Sequence, residues 1–231
     1  MVNAISVTAP ATDALWIVDP CHYGRSGLVS LFGEAGVPVE GTPGLQCDDV
    51  LAFVNDRCLV LRLPSDPVSA LVLLLRLPEV PWTLLRCHTL VVLSPFSTGC
   101  LLRLFGCLKL PCFVQVLNAR LPLHLLKDAI LARRKYARIG NGLGTQGLPV
   151  LSIYERRTLW ESLQAVSIHT QAKKRFVSTK TVYSHRVRAL AKLGHRDLSG
   201  LIGRLGGGRW SCLRIFSKHQ PHTVREGRKH D

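Results

Sequence analysis

The 231-residue chain lacks the cysteine spacings that build metal sites and disulfide frameworks. Its eight cysteines include no Cys-x-x-Cys pair, and no cysteine–histidine cluster has the spacing of a zinc site. Cys107 and Cys112, the closest pair, are separated by a proline-containing turn. We therefore expect these thiols to behave as small buried hydrophobes in a reducing compartment, and we predict no metal and no cofactor.

Membrane-spanning, targeting and catalytic patterns are missing as well. The most apolar run, residues 71–77, is interrupted by Arg76 and ended by Pro78, well short of the roughly 20 residues that a membrane span needs. Residues 1–13 lack the basic and apolar regions of a signal peptide. No nucleophile–base pair or phosphate-binding loop is evident, so we predict no catalytic residue. These absences favour a cytoplasmic, non-enzymatic protein without a membrane part.

Acidic residues are scarce in the second part of the chain. The whole sequence has 30 Lys and Arg against 15 Asp and Glu, but residues 141–231 hold 17 basic and five acidic residues, a net +12 out of +15. A basic excess confined to one region is the electrostatic signature of nucleic-acid binding. Membrane-surface binding would use the same charge, but no lipidation motif or strongly amphipathic basic helix accompanies it.

The basic region begins with the pattern of two short helices. Ser152 and Glu155 have the spacing of a capping box, in which each side chain satisfies a free backbone donor of the other residue. A basic second helix is predicted around residues 170–176, with Ala172 and Phe176 on one side. A short turn between two such helices is typical of a helix-turn-helix unit.

A third helix, predicted over 179–193, follows a suitable N-cap at Ser178 and has two different sides. Val182, Ala189 and Leu193 are spaced to face a small core. The opposite side offers donors for phosphates and base edges and methyl groups for thymine, which suits a DNA major groove. The residues that we assign to DNA contact are Thr179, Lys180, Thr181, Tyr183, Ser184, His185, Val187 and Arg188. A solvated basic helix without a partner is the alternative.

The segments STKTVYSH (178–185) and KLG (192–194) resemble the motifs that open and close the recognition helix of LuxR-type DNA-binding domains. The segment LSIYE (151–155) resembles the start of the same domain. The resemblance covers about residues 150–205 and implies an all-α helix-turn-helix domain that binds double-stranded DNA.

Two residues depart from that family's pattern. The usual glycine after the first helix is absent near Gln164 and Ala165. Gln171 stands where an apolar residue normally packs, which predicts a differently seated or less stable middle helix.

A fourth helix after His195 carries a second apolar stripe. Leu198, Leu201, Ile202 and Leu205 recur at helical spacing, over a stripe wider than a small helical core would bury alone. The resemblance implies that this helix pairs two DNA-binding domains on an inverted repeat, as a homodimer or as a heterodimer with another regulator. The alternative is that the stripe packs only on its own domain.

The first 130 residues alternate apolar strands with amphipathic helices, which is typical of an α/β domain with a parallel sheet. Predicted strands are residues 14–18, 37–39, 58–63, 90–93 and 111–117, and predicted helices are residues 24–32, 68–77 and 122–135.

This order, with the segment VDPCHYGRSGL (18–28), resembles the flavodoxin-like receiver domain of bacterial response regulators. The resemblance implies a phosphorylation site with two acidic residues that hold Mg²⁺, an aspartate nucleophile, a hydroxyl and a lysine. Asp19 and Ser94 match two of these positions. The remaining three positions are held by Pro20, Arg62 and Asn118.

The substitutions remove the chemistry of that site. A guanidinium does not take the place of a nucleophilic aspartate, and a single carboxylate binds Mg²⁺ weakly. Asp66 is an alternative acceptor, but Pro64 and Pro67 on either side argue against a preserved pocket. We therefore predict a degenerate receiver that is retained for contacts.

The predicted organisation is a receiver-like domain (12–132), a glycine-rich flexible linker (133–149), the helix-turn-helix domain (150–205) and a basic tail (206–231). The favoured function is sequence-specific, phosphorylation-independent transcription regulation by a DNA-bound dimer. The alternative is an auxiliary regulator that acts mainly through protein contact with another response regulator.

Overall fold

A computed structural model describes residues 14–45, 57–83, 85, 87–136 and 147–206. Most of the predicted linker and nearly all of the predicted basic tail lie outside these residues. The described part of the chain has an N-terminal sheet flanked by helices, followed by four helices. This arrangement confirms the predicted fold class of an α/β domain followed by an all-α domain.

Five parallel strands form one sheet in the order β2-β1-β3-β4-β5. The strands are Ala14–Val18 (β1), Val39–Thr42 (β2), Arg57–Arg62 (β3), Cys87–Ser94 (β4) and Phe113–Asn118 (β5). This is the flavodoxin-like order, in which the crevice between the carboxyl ends of β1 and β3 is the usual place for a ligand.

The sheet is covered on both faces, as the unbroken apolar sequence of its strands requires. In β1, Leu15 and Ile17 pack on one face while Trp16 and Val18 pack on the other, and all four are buried. Helices His22–Gly33 (α1) and Leu123–Tyr136 (α4) cover the first face. Helices Pro67–Arg76 (α2) and Thr98–Leu108 (α3) cover the second, and a short 3-10 helix, Leu77–Glu79, follows α2.

Two features of this domain differ from the sequence-based expectation. The second strand begins at Val39 and not at Val37. The backbone N–H of Val37 donates to the Phe32 carbonyl at the end of α1 and so does not pair with the sheet. Helix α3 was not predicted at all, although its buried residues Leu101, Leu104, Phe105 and Leu108 have helical spacing.

The C-terminal domain has helices Ile153–Leu163 (α5), Ile168–Arg175 (α6), Thr179–Leu193 (α7) and Leu198–Leu205 (α8). Each helix begins with a side chain that accepts a hydrogen bond from the first turn; these caps are Ser152, Ser167, Ser178 and Asp197. The capping box predicted at Ser152 and Glu155 is confirmed by both of its hydrogen bonds.

One hydrophobic core runs through both domains. Buried residues of α5, α7 and α8 belong to the same cluster as those of α2 and α3, so these two helices lie between the sheet and the C-terminal domain. Leu71 and Leu104, for example, line the same space as Leu201 and Leu205. Apolar faces of both domains therefore cover each other in this arrangement.

Candidate functional site

Helix α7 separates its core side from its free side as the spacing predicts. Val182 and Ala189 are fully buried and Leu193 is nearly so, which confirms the inner stripe; Leu190 is buried beside them. Gly194 ends the helix in the left-handed conformation, with its N–H bonded back to the last turn. Helix α7 is therefore anchored along one side and at its end.

The residues assigned to DNA contact lie on the side of α7 that faces away from the core. Thr179, Lys180, Thr181, Tyr183, Val187 and Arg188 are exposed, while Ser184 and His185 are half-buried. Tyr183 and Val187 are 52% and 42% exposed. The receiver-like domain leaves this surface uncovered, because its contacts with α7 are made through α3 at the end of the helix.

Two contacts restrict the side chains of this surface. The Arg186 guanidinium lies 5.4 Å from the centre of the Tyr183 ring, a cation–π distance. The His185 ring stacks on that of Tyr154 in α5, with centroids 5.8 Å apart. Arg186 was not among the predicted contact residues, although its position next to His185 in a basic helix could have indicated it.

The basic helix α6 has two exposed lysines and one largely buried arginine that holds it to α5. Lys173 and Lys174 are exposed. The Arg175 side chain is only 9% exposed; it donates to Glu161 at 2.6 Å and to the Thr158 hydroxyl at 2.7 Å. Sequence reasoning missed this role, and the signal for it was an acidic residue, Glu161, on the core side of α5.

Phe176 does not pack beside Ala172 as expected. Ala172 is buried, whereas Phe176 ends α6 in the left-handed conformation (φ 55°) and is 97% exposed. The helix stops one residue before Phe176, so helical spacing no longer decides the direction of its side chain.

The two departures from the LuxR-type pattern have simple structural outcomes. Ala165 adopts φ 60°, the left-handed conformation that favours the glycine it replaces. Gln171 is fully buried, and its amide nitrogen donates to the Ser162 hydroxyl at 3.1 Å and to the Val166 carbonyl at 3.0 Å. Helix α6 is thus held by a polar contact where an apolar one was expected.

Lys192 is the one basic residue of α7 that turns back to the start of α5. Its ammonium group donates to Glu155 at 2.7 Å and to the Val150 carbonyl at 2.8 Å. Burial raises the pKa of Glu155, but the hydrogen bonds from Lys192 and Ser152 outweigh it, so the pKa lies below its ordinary value. Glu155 therefore stays ionised and fixes α7 against α5.

The carboxyl end of α7 is held by the receiver-like domain. The Arg103 guanidinium of α3 donates to the Lys192 carbonyl at 3.3 and 3.2 Å, and the Cys107 thiol lies 3.6 Å from the same oxygen. The Leu151 N–H donates to the Cys107 carbonyl at 2.8 Å. A cation at a helix C-terminus also complements the helix dipole. This contact was not foreseen because α3 itself was not.

The apolar stripe of α8 is buried within the molecule. Leu201, Ile202 and Leu205 are 2%, 4% and 1% exposed, and Leu198 is half-buried. They pack against α2, α3 and α7. A dimer interface on this stripe needs the receiver-like domain to move away. Packing on its own domain alone does not describe the stripe either, because α2 and α3 of the receiver-like domain cover it.

The crevice at the carboxyl ends of β1 and β3 is filled by the protein's own charges. The buried Asp19 carboxylate accepts from the Cys21 N–H at 2.8 Å and meets the Arg62 guanidinium at 3.5 Å. Gly24 permits this approach, because a Cβ there would lie 2.7 Å from the Arg62 guanidinium and overlap the Asp19 carboxylate. Arg62 thus lies beside Asp19 in this crevice.

The neighbouring strand ends carry two more polar side chains that are engaged locally. Ser94 and Asn118 lie side by side at the ends of β4 and β5. The Ser94 hydroxyl accepts from the Phe96 N–H at 2.9 Å, and the Asn118 side chain accepts from the Arg120 N–H at 2.9 Å. Both side chains stabilise turns, and neither is positively charged.

Asp66, the alternative acceptor, is the N-cap of α2. Its carboxylate accepts from the Ser69 N–H at 2.7 Å. Burial raises the pKa of Asp66, but the hydrogen bonds from Ser69 and Val68 outweigh it and lower the pKa overall. A capping role explains this residue without phosphoryl chemistry.

Metal and membrane sites are not evident in the described ranges. Within residues 14–45, 57–83, 87–136 and 147–206, no group of three or more His, Cys, Asp or Glu is placed to hold a metal ion. Of the helices described, none is long and apolar enough to cross a membrane.

Solved structures of similar fold include RcsB from Salmonella enterica serovar Typhimurium bound to a promoter in the presence of phosphomimetic BeF3− (TM-score 0.52, 17% identity, covering 85% of this chain and 99% of that one). A second is a structure of two RcsB dimers bound to two parallel DNAs (TM-score 0.50, 19% identity, covering 84% and 99%). No protein-family model matches this chain, and no curated protein does. At these identities the similarity establishes the fold, a receiver-like α/β domain with a C-terminal helical domain.

Proposed function

We propose that this chain is a cytoplasmic, sequence-specific transcription regulator that binds double-stranded DNA as a dimer and needs no aspartyl phosphorylation. The observation that carries the proposal is the free side of α7, where exposed basic, hydroxyl and small apolar side chains surround Tyr183. The basic charge of residues 141–231 supports the same partner. The solved structures of this fold include DNA complexes, which is consistent with it.

In this proposal α7 enters the major groove and its residues divide between two tasks. Lys180 and Arg188, exposed at opposite ends of the free side, contact phosphates and set the position of the helix. Tyr183, Ser184 and Val187 lie between them and face base edges. Lys173 and Lys174 of α6 add phosphate contacts beside the groove.

Substitutions on α7 test this division of tasks. Val187→Glu should abolish specific binding, because a carboxylate on the exposed face repels phosphates without disturbing the core. Lys180→Ala should weaken binding to all sequences alike and lower the salt slope of log K by about 1. An operator found by footprinting on genomic fragments is titrated by fluorescence anisotropy at several salt concentrations.

Arg120→Ala removes an exposed cation on the receiver-like domain and serves as the matched control. If Val187→Glu and Lys180→Ala bind that operator as the wild type does, the free side of α7 is not the DNA-binding surface.

Independence from phosphorylation is supported by the filled crevice at Asp19 and Arg62. Incubation with acetyl phosphate, or with beryllofluoride, in the presence of Mg²⁺ should leave the oligomeric state and the DNA affinity unchanged. A gain in affinity that disappears in Asp66→Ala would instead identify Asp66 as a working acceptor.

Dimeric binding is proposed together with a change in the position of α8. Since Leu201, Ile202 and Leu205 are covered by α2 and α3, pairing through this stripe requires the two domains to separate on DNA. Sedimentation velocity should therefore show monomers for the free protein and two chains on each inverted repeat. One chain on each DNA duplex would contradict the proposal.

The auxiliary-regulator alternative is favoured by one observation, the covered α8 stripe, which a partner regulator could release. A gel shift with the chain alone, and then with candidate partners, separates the two functions: binding only in the presence of a partner favours the auxiliary role.

A further inference from the structure

A groove of about 390 Å³ lies between the end of α2 with its 3-10 helix and the first half of α5. One wall comes from the receiver-like domain and the other from the helical domain. We propose that this groove binds a small aromatic carboxylate, an organic anion with a flat apolar body. No part of the proposed DNA-binding surface lines the groove, so this inference does not depend on the proposed function.

The charge of the groove favours an anion. Arg76, Arg156 and Arg157 line it, against one carboxylate, Glu79. The existing contacts of these guanidinium groups leave most of their donors available: Arg76 meets Glu79 at 3.8 Å, and Arg156 reaches the Leu75 carbonyl at 3.5 Å. Arg157 donates to Glu161 at 3.2 Å through one nitrogen only. Guanidinium groups bind carboxylates in pairs of parallel hydrogen bonds, which suits this ligand.

The remaining lining is apolar and aromatic. Leu75, Ile153, Tyr154 and Trp160 complete the groove. Ile153 and Tyr154 are 63% and 61% exposed, although both are large apolar side chains. The Arg76 guanidinium lies 6.0 Å from the centre of the Trp160 ring. A flat aromatic body would cover this apolar surface, which a free phosphate or sulfate ion would leave exposed.

Trp160 is also a lining residue with an unsatisfied polar atom. Its indole nitrogen is buried and has no hydrogen-bond partner among the described residues. A buried donor without an acceptor is unfavourable, and native structures seldom leave one unexplained. The nitrogen itself is closed off from the surface, so a ligand in the groove would contact the indole ring and not this donor.

The size of the groove limits the ligand to one or two rings. Its volume is near the lower end of the range for small-molecule sites, and its walls are largely formed before binding. An open groove of this size with three guanidinium groups should bind such a ligand with a Kd on the order of 0.1–1 mM. Since both domains form the walls, a bound ligand would hold them in the observed arrangement.

The test is a titration of the full chain, labelled with ¹⁵N, with 1-naphthoate. The sequence has four tryptophans, so four indole N–H signals are expected, and Trp160→Phe identifies the one of interest. We expect the Trp160 signal to shift saturably with 1-naphthoate, and 1-naphthalenemethanol, the uncharged analogue, to bind at least about tenfold more weakly. Arg76→Gln with Arg156→Gln should weaken naphthoate binding to the same degree, whereas Arg120→Gln should not.

Equal shifts with the uncharged analogue, or similar shifts of all four indole signals, would show unspecific apolar adsorption and overturn the proposal. The absence of a saturable shift of the Trp160 signal up to about 10 mM naphthoate, tenfold above the expected Kd, would also overturn it. If the double variant loses its dispersed spectrum, Arg157→Gln alone takes its place, with the same expected weakening.

Discussion

The two domains of this protein differ in how deeply they bury an ion pair and how closely its two charges approach. In the helical domain, Glu161 and Arg175 form a buried pair at 2.6 Å, and each has further hydrogen bonds. In the receiver-like domain, Asp19 meets Arg62 at 3.5 Å, and the Arg62 side chain is 41% exposed. The first pair joins two helices that support the free side of α7. The second lies at the carboxyl ends of β1 and β3.

This difference indicates which contacts each domain depends on. A receiver sheet is held by apolar strands and helices, so its charged crevice can change while the fold remains. A four-helix domain of this size has a small core and relies more on caps and buried polar contacts. The predictions below test this contrast, from the largest expected effect to the smallest.

Arg175→Ala should cause the largest loss. It leaves the Glu161 carboxylate, 3% exposed, with only the exposed Arg157 as a partner, and removing one member of a buried pair costs about 3 kcal/mol. Urea denaturation followed by circular dichroism measures the change in the free energy of unfolding. Lys174→Ala, at the exposed neighbouring position, should change it by less than about 0.5 kcal/mol. Equal effects of the two variants would show that the pair is not important to the helical domain.

Leu201→Ala should rank second, because it opens a cavity in the core that joins the two domains. Leu201 is 2% exposed, and truncating a buried leucine costs about 2–3 kcal/mol. Thermal unfolding of the full chain measures the loss. Leu123→Ala, at a site that is 63% exposed, is the matched control and should be nearly neutral. A neutral Leu201→Ala would mean that the α8 stripe is free in solution and available to a second copy.

Ala165→Gly should stabilise the protein by about 1 kcal/mol. Ala165 has φ 60°, a conformation that costs a residue with a Cβ about that much relative to glycine. For a chain of this size the melting temperature should rise by roughly 2–4 °C. Ala191→Gly, at an exposed interior position of α7, should have the opposite sign and a similar size. A loss of stability in Ala165→Gly would contradict the left-handed turn after α5.

Arg62→Ala should have the smallest effect, a change of less than about 1 kcal/mol in the free energy of unfolding. The pair with Asp19 is long and partly exposed to solvent, and Asp19 keeps its hydrogen bond from Cys21. The same urea denaturation allows a direct comparison with Arg175→Ala. If Arg62→Ala costs as much as Arg175→Ala, the crevice charges are as structural as those of the helical domain.

Part of the fold and of the proposed site could be predicted because it depends on neighbours in sequence. The caps at Ser152 and Ser178 and the buried side of α7 follow from spacings of three and four residues. Apolar strands separated by helices were enough to predict the parallel sheet, although β2, a polar edge strand, was placed two residues too early.

Other features could not be predicted because they join residues far apart in the chain. Arg103 holds the end of α7 across 89 positions of sequence. The groove at Trp160 exists only where α2 and α5 come together. None of these contacts leaves a periodic signal in the sequence.

The sequence by itself determined the two fold classes, the charge of the C-terminal region and the side of α7 that stays out of the core. Local spacing and side-chain chemistry are sufficient for each of these. The tertiary structure decided that the α8 stripe is covered and that the domains share one core. Apolar spacing specifies that a surface is buried, but the surface that covers it depends on how the whole chain packs.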